Sequence, residues 1–285
     1  MAENRLGFNT LRRGTISFVL ILLCLAGQPP SRAQEQPDIF KRPGPNPAQN
    51  HPDLSRRPPV INPKAQVMLD KAIQALGGAS FLSFKRLTTK GRAFAISDES
   101  TAGLSPFESA VEYPDKRRAS YGKKPPVILI NNGKQGWEID RYGVMSQKRE
   151  DLRDWQLVNR YSLENLLRLR IHEPGMLVQE GGADFVDEAP VRIVTMVDAQ
   201  QTEIKLYLHS STFLPVRITY HTWNAVTKDW DDRADVYGDY QKIQGIESPM
   251  HITRFLNDER VAEIYRNSAK YDETYPAGYF EAPKR

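Results

Sequence analysis

The stretch YGDYQKIQGIESPMHI, Tyr237 to Ile252, reads as one strand, a turn and a returning strand, with Gly245 in the turn and Ile246 opening the second strand. A glycine between two runs rich in aromatic and aliphatic residues signals a hairpin, because it takes up the positive φ that tight turns demand. Pro249 withholds a backbone donor near the start of the returning strand, a placement tolerated at sheet edges and strand beginnings. No obvious catalytic group stands in the stretch. It is read as wall.

The same two-residue period runs through most of the chain around it. In FESAVEYPDKRRASY, Phe107, Val111 and Tyr113 fall on one side and Glu108 and Glu112 on the other. PVILINNGKQGWEIDRYG carries a hairpin signal, with Asn132-Gly133 and Gly136 in the turn region before Trp137. Between Val191 and Trp223 three more strands are expected, with Ile204, Leu206 and Leu208 alternating against Glu203, Lys205 and Tyr207. A further hairpin turns through Asn257-Asp258. The short polar connections predict antiparallel order, and the pieces sum to about nine to eleven strands.

Two segments break the period. NPKAQVMLDKAIQALGG places Val67, Met68 or Leu69, Ala72, Ile73 and Leu76 at helical spacing, with Asn62 as N-cap, Pro63 at the first helical position and Gly77-Gly78 as the stop. Between Gln147 and Arg170, Leu152, Trp155, Val158, Leu163, Leu166 and Leu167 fall near 3.6 periodicity. This insert reads as two short helices broken near Tyr161-Ser162, with Ser162 capping the second. The expected class is α+β: a strongly curved antiparallel sheet, an unclosed β-barrel, wrapped over an N-terminal helix and a mid-chain helical insert.

The chain has 285 residues and a formal net charge of +4. Most of that charge stands in residues 1–33, where Arg5, Arg12, Arg13 and Arg32 face only Glu3. Without them the balance is near neutral and gives no footing for nucleic acid. The basic start, the apolar run Ile16 to Ala26 and Ser31-Arg32-Ala33 form a secretory signal peptide, cleaved after Ala33. No later stretch reaches the ~20 apolar residues of a membrane span. Export to the periplasm is expected. Cys24, the single cysteine, lies within the apolar run. Leu23 before it argues against lipidation there, and the processed chain would have neither disulfide nor thiol nucleophile. Residues 34–63, interrupted by eight prolines from Pro37 to Pro63, read as a disordered tether, and 64–285 as the folded domain.

The motifs of common enzymes are missing: no G-x-S-x-G, P-loop, dinucleotide fingerprint or H-E-x-x-H occurs. His172, His209, His221 and His251 have no metal-ligand spacing, so no metal, cofactor or catalytic residue is expected. Asp229, Asp231, Asp232 and Asp235 lack the glycine and terminal glutamate of a calcium loop and read as a solvated hairpin turn. Arg149-Glu150-Asp151 and Lys116-Arg117-Arg118 read as solvated faces, the second also suited to an anionic lipid headgroup or an acidic partner. The chain is rich instead in aromatic and apolar residues on sheet faces, among them Trp137, Trp155, Trp223 and Trp230, and a curved sheet incompletely filled by helices leaves an apolar cavity.

LDKAIQALGG, NNGKQGWEID, TFLPVRITYH, DYQKIQGIESPMHITRF and GYFEAP follow one another along residues 64 to 284. In that order they resemble the exported lipoprotein-sorting superfamily of the LolA and LolB type. The motifs that carry the likeness are Gly133 to Trp137, Leu214 to Ile218, Gly245 to Pro249 and Phe280 to Pro283. The resemblance implies a half-barrel whose interior shields acyl chains from water, a carrier or chaperone that needs no catalytic residue. At ~0.8 kcal/mol per buried methylene, a chain of about 14 methylenes gains on the order of 10 kcal/mol before association costs. The expected lining is Val111, Tyr113, Ile193, Leu206, Ile218 and Ile252 from the sheet, with Leu69, Ile73, Leu76, Leu163, Leu166 and Leu167 from the helices. The ligand would be an acyl chain, a lipid or a lipoprotein, and peripheral membrane contact would accompany its transfer. A related half-barrel serves periplasmic regulators of anti-sigma factors, so an envelope-stress sensor with a protein partner is the alternative.

Overall fold

The computed structural model describes residues 56–97, 100–224 and 227–283. The leader and all but the end of the proline-rich segment lie outside the described residues. That end is ordered: Val60–Ile61 forms β1, and Asn62 caps the following helix α1 (Pro63–Leu76), its side chain accepting from the Lys64 N–H at 2.9 Å. Pro63 stands at the first helical position, where its missing N–H costs nothing. A short helix α2 (Ala79–Ser83) follows.

Six strands come next: β2 (Arg86–Ser97), β3 (Ser100–Glu112), β4 (Lys116–Tyr121), β5 (Val127–Asn132), β6 (Gln135–Asp140) and β7 (Gly143–Ser146). The insert is α3 (Arg149–Arg160) and α4 (Leu163–Arg168), then a 3-10 turn at Arg170–His172. The second half is β8 (Leu177–Val186), β9 (Ala189–Val197), β10 (Glu203–His209), β11 (Pro215–Asn224), β12 (Asp229–Ile243), β13 (Ile246–Leu256) and β14 (Glu259–Tyr271).

All fourteen strands form one sheet in the order β1-β8-β9-β10-β11-β12-β13-β14-β2-β3-β4-β5-β6-β7, with β1 and β7 left as open edges. The expected α+β class and the unclosed sheet are what the molecule has. The count exceeds nine to eleven in part because Val60–Ile61 adds β1 from the proline-rich segment and Gly143–Ser146 adds β7 after the turn at Arg141-Tyr142. Pairing is antiparallel except between β1 and β8, which run parallel. Register shifts interrupt β2, β8, β10, β13 and β14, and such bulges bend a strand and increase its twist. Gly91 of β2 sits at one of these closures, since a Cβ there would lie 1.9 Å from the Tyr265 carbonyl oxygen of β14.

The hairpin between β12 and β13 turns at Gln244-Gly245, both with positive φ, as the sequence pattern requires. It also seats α1. Gly77, the C-cap of that helix at φ 125°, lies so close to the turn that a Cβ would stand 2.5 Å from the Gly245 carbonyl oxygen. Pro249 is not at an edge, because β13 lies between β12 and β14. It is tolerated because the β13–β14 ladder ends at His251 opposite Tyr265, so its missing N–H breaks no bond on that side.

The core is one contiguous cluster in which α1 and α4 lie on the strands β9 to β13. Leu69 and Leu76 of α1 and Leu163, Leu166 and Leu167 of α4 are fully covered and meet Val194, Leu206, Ile218 and Ile252 from the sheet. Each such side chain contributes roughly 1.5–3 kcal/mol by leaving water. Val67 does not belong to the buried stripe; it is 53% exposed, and Ala65 and Met68 take its place beside Leu69 and Ala72. The rest of the inferred face stands, with Met68, Leu69, Ala72 and Leu76 buried and Ile73 against the core; apolar residues at three consecutive positions leave open which of them turns outward.

Candidate ligand cavity

The helix α3 differs from α1 and α4 in how it is held. It buries Asp151 and Trp155, with Leu157 packed half-buried against the core, and several of its other attachments are polar. Asp154 pairs with Arg233 of β12 at 2.5 Å, Gln156 Nε2 donates to the Gly133 carbonyl at 3.0 Å, and Asn159 Nδ2 donates to the Pro114 carbonyl at 2.8 Å. Burial holds the Asp154 carboxyl above the usual carboxylate range, opposed by the Arg233 guanidinium. Burial and the neighbouring Asp154 charge raise Asp151 as well. The junction with α4 is polar too: Asn165 Nδ2 donates to the carbonyls of Pro114 and Asn159. Ser162 stands at the N-cap position of α4, but its hydroxyl donates to the Asn159 carbonyl and caps nothing.

Between this helical insert and the adjacent strands β13, β14, β2, β3 and β4 lies a cavity of about 140 Å³. Its sheet wall is built by alternation: Leu87, Thr89 and Ala93 from β2, Phe107, Ser109 and Val111 from β3, Arg117 and Tyr121 from β4, Ile264 and Arg266 from β14, and Arg254 from β13. Tyr113 completes it beside β3. The helices supply Trp155, Val158, Asn159, Ser162 and Glu164. Around its base Arg168 of α4 lies over the rings of Phe84 and Tyr113, at 4.1 and 5.2 Å, and donates to the Phe84 carbonyl. Phe84 in turn meets Phe81, Tyr113 and Tyr271 edge-on. Burial drives the Tyr113 phenol well above its ordinary value and lowers the Arg168 guanidinium.

Of the residues expected to line a cavity, Val111 and Tyr113 stand on this one. Leu69, Leu76, Leu163, Leu166, Leu167, Leu206, Ile218 and Ile252 are in the packed core, with Ile73 against it. Ile193 is buried beside Gly181, whose missing Cβ leaves room for it. Of the cavity's cationic groups, only Arg117 stood in a segment read as suited to an anionic headgroup; its inward placement, and Arg254 and Arg266, were not anticipated. Arg117 belongs to a segment read as a solvated face, yet it is the cross-strand partner of Val111 and shares its inner side. Arg254 and Arg266 follow Ile252 and Ile264 by two residues, and this charge at an inward position of the alternation was the available signal.

The aspartates of the same face also need correction. They form no solvated turn: they stand in β12, where Asp231 is buried, its Oδ2 3.5 Å from Arg233, and Asp235 is 3.4 Å from Arg254. Asp151 is likewise buried rather than on a solvated face, and Gly136 is in β6 rather than in the turn. On the opposite, outer face, His221 hydrogen-bonds to its cross-strand partner Asp232, and His251 stacks on Tyr265 with centroids 4.4 Å apart. Neither histidine lines the cavity. Among the described residues no group of three or more His, Cys, Asp or Glu is placed to hold a metal, and no helix is long and apolar enough to cross a membrane.

An open, bulged sheet with helices on one face and a cavity beneath the insert defines an α+β half-barrel. In fold the chain is similar to a DUF1329 family protein from Desulfovibrio piger ATCC 29098, with TM-score 0.51 and 10% identity over 76% of this chain and 97% of that one. It is also similar to a LolA superfamily protein from Nitrosomonas europaea, with TM-score 0.47 and 15% identity over 76% of this chain and 96% of that one. No protein-family model and no curated protein matches the chain.

Proposed function

We propose that this protein is an exported, non-enzymatic carrier of an acylated ligand, a lipoprotein or another lipid, working in the periplasm after its leader is removed. The observation that carries this reading is the cavity between the sheet, where Leu87, Ala93, Phe107, Val111 and Ile264 supply apolar surface, and a helix that buries one large apolar side chain, Trp155. At about 140 Å³ it matches the size of a cavity that admits one benzene-sized solute. A longer chain therefore requires α3 to move away from the sheet. Lifting α3 uncovers one large buried side chain, Trp155, with Leu157 half-buried, and its amide hydrogen bonds exchange for bonds to water, whereas lifting α1 or α4 would expose several fully buried leucines. Opening is thus directed to one helix, and each methylene that enters the opened groove contributes ~0.8 kcal/mol.

Native mass spectrometry and lipid extraction of protein purified from its own exporting host test this. A bound acyl species and displacement of a fluorescent fatty-acid probe are the expected results. A clean apo mass together with no probe displacement overturns the reading.

A further inference from the structure

The cavity carries more cationic charge than an acyl chain alone requires. Three guanidinium groups, Arg117, Arg254 and Arg266, stand on its wall against a single carboxylate, Glu164. Arg117 has two buried nitrogens, Nε and Nη2, with no hydrogen-bond partner among the described residues, and the Nε atoms of Arg254 and Arg266 are in the same condition. The other contacts of these two arginines are limited: Asp235 lies 3.4 Å from Arg254 Nε, and Arg266 Nη1 donates to the Pro249 carbonyl at 3.1 Å. Buried donors without acceptors are costly, and a guanidinium fork matches the paired oxygens of a carboxylate or phosphate.

We infer that the cavity takes a single-chain anionic amphiphile headgroup first, with its carboxylate or phosphate monoester among Arg117, Arg254 and Arg266. The chain then runs along Val111, Ile264 and Trp155 toward the space that opens under α3. This assignment rests on the carrier reading and adds to it the charge of the ligand and its orientation. A positively charged amphiphile of equal length is excluded by the same three groups.

The test is calorimetric titration of the full folded chain with decanoate, decyl phosphate, decanol and decyltrimethylammonium, each below its micelle concentration. Decanoate or decyl phosphate is expected to bind at least about tenfold tighter than decanol, and the cation more weakly than decanol. The preferred anion distinguishes a carboxylate source from a phosphate source. In Arg117→Met, anion affinity is expected to fall to that of decanol while decanol binding is unchanged, with Arg254→Met as a second variant. Equal binding of anion and alcohol by the unaltered protein overturns the headgroup site and leaves the carrier reading standing. Absence of binding by all four overturns both, and undiminished anion binding in both variants overturns the assignment to these arginines.

Discussion

Asp154 of α3 and Arg233 of β12 meet at 2.5 Å beneath the helix, and Arg233 also lies 3.5 Å from Asp231. The pair is less than a fifth exposed on either side, so solvent screens it weakly. It fixes where α3 touches the sheet.

Removing one member of this pair leaves a partly buried charge without its partner. Arg233→Met is expected to cost about 3 kcal/mol in denaturant unfolding, the low end for a buried pair. Asp154→Leu together with Arg233→Met is expected to recover most of that loss, since Asp231 retains hydrogen bonds from Asn224. Equal destabilisation by the single and double variants would show that the pair does not act as a unit.

Leu166 and Val67 separate the two kinds of helical position. Leu166 is fully covered and sits in the core cluster, so Leu166→Ala is expected to destabilise by about 2–5 kcal/mol. Val67 faces outward, and Val67→Ala is expected to change stability by no more than about 0.5 kcal/mol. Comparable losses at both positions would contradict the helix orientation described.

The Pro114 carbonyl accepts from both Asn159 and Asn165, at 2.8 and 2.9 Å. Either amide alone can keep that oxygen satisfied. Asn159→Ala and Asn165→Ala are therefore expected to be non-additive, the double variant losing about 0.5 kcal/mol or more beyond the sum. A double-mutant cycle by chemical denaturation measures this term directly.

Alkaline pH offers a test of burial. Burial pushes the phenols of Tyr161 and Tyr271 up to about 12, from an ordinary value of 10.0. The folded state therefore holds protons that the unfolded chain has released between these values. Stability from these groups is complete below pH 10 and is lost as the pH rises toward 12. Phenolate absorbance is expected to appear in two steps, exposed tyrosines first and the buried ones with cooperative unfolding. A single step near the ordinary value would place these tyrosines in solvent.

Much of the wall was legible in the chain. Ile204, Leu206 and Leu208 alternate with Glu203, Lys205 and Tyr207 and are buried as that pattern demands, because a strand sends successive side chains to opposite faces. Gly245 and Asn257-Asp258 turn their hairpins because the positive φ needed there restricts which residues can serve. Asn62, Pro63 and Gly77 bound α1 by equally local rules. These readings succeed because the cause and its effect lie within a few residues of each other.

Arg117 illustrates the opposite case. By sequence it is the middle of a basic triplet, and only its pairing across from Val111 turns it toward the interior. The same holds for the aspartates of β12, which resemble a solvated turn until β13 brings Arg254 to Asp235 and α3 brings Asp154 to the Arg233 that also faces Asp231. The sequence by itself determined most of the strands and hairpins, the limits of α1 and the α+β class, all products of local sterics and periodic hydrophobicity. The tertiary structure alone decided that α1 and α4 fill the half-barrel, that α3 covers a cavity, and that three arginines face into it, because register and long-range burial place those groups together.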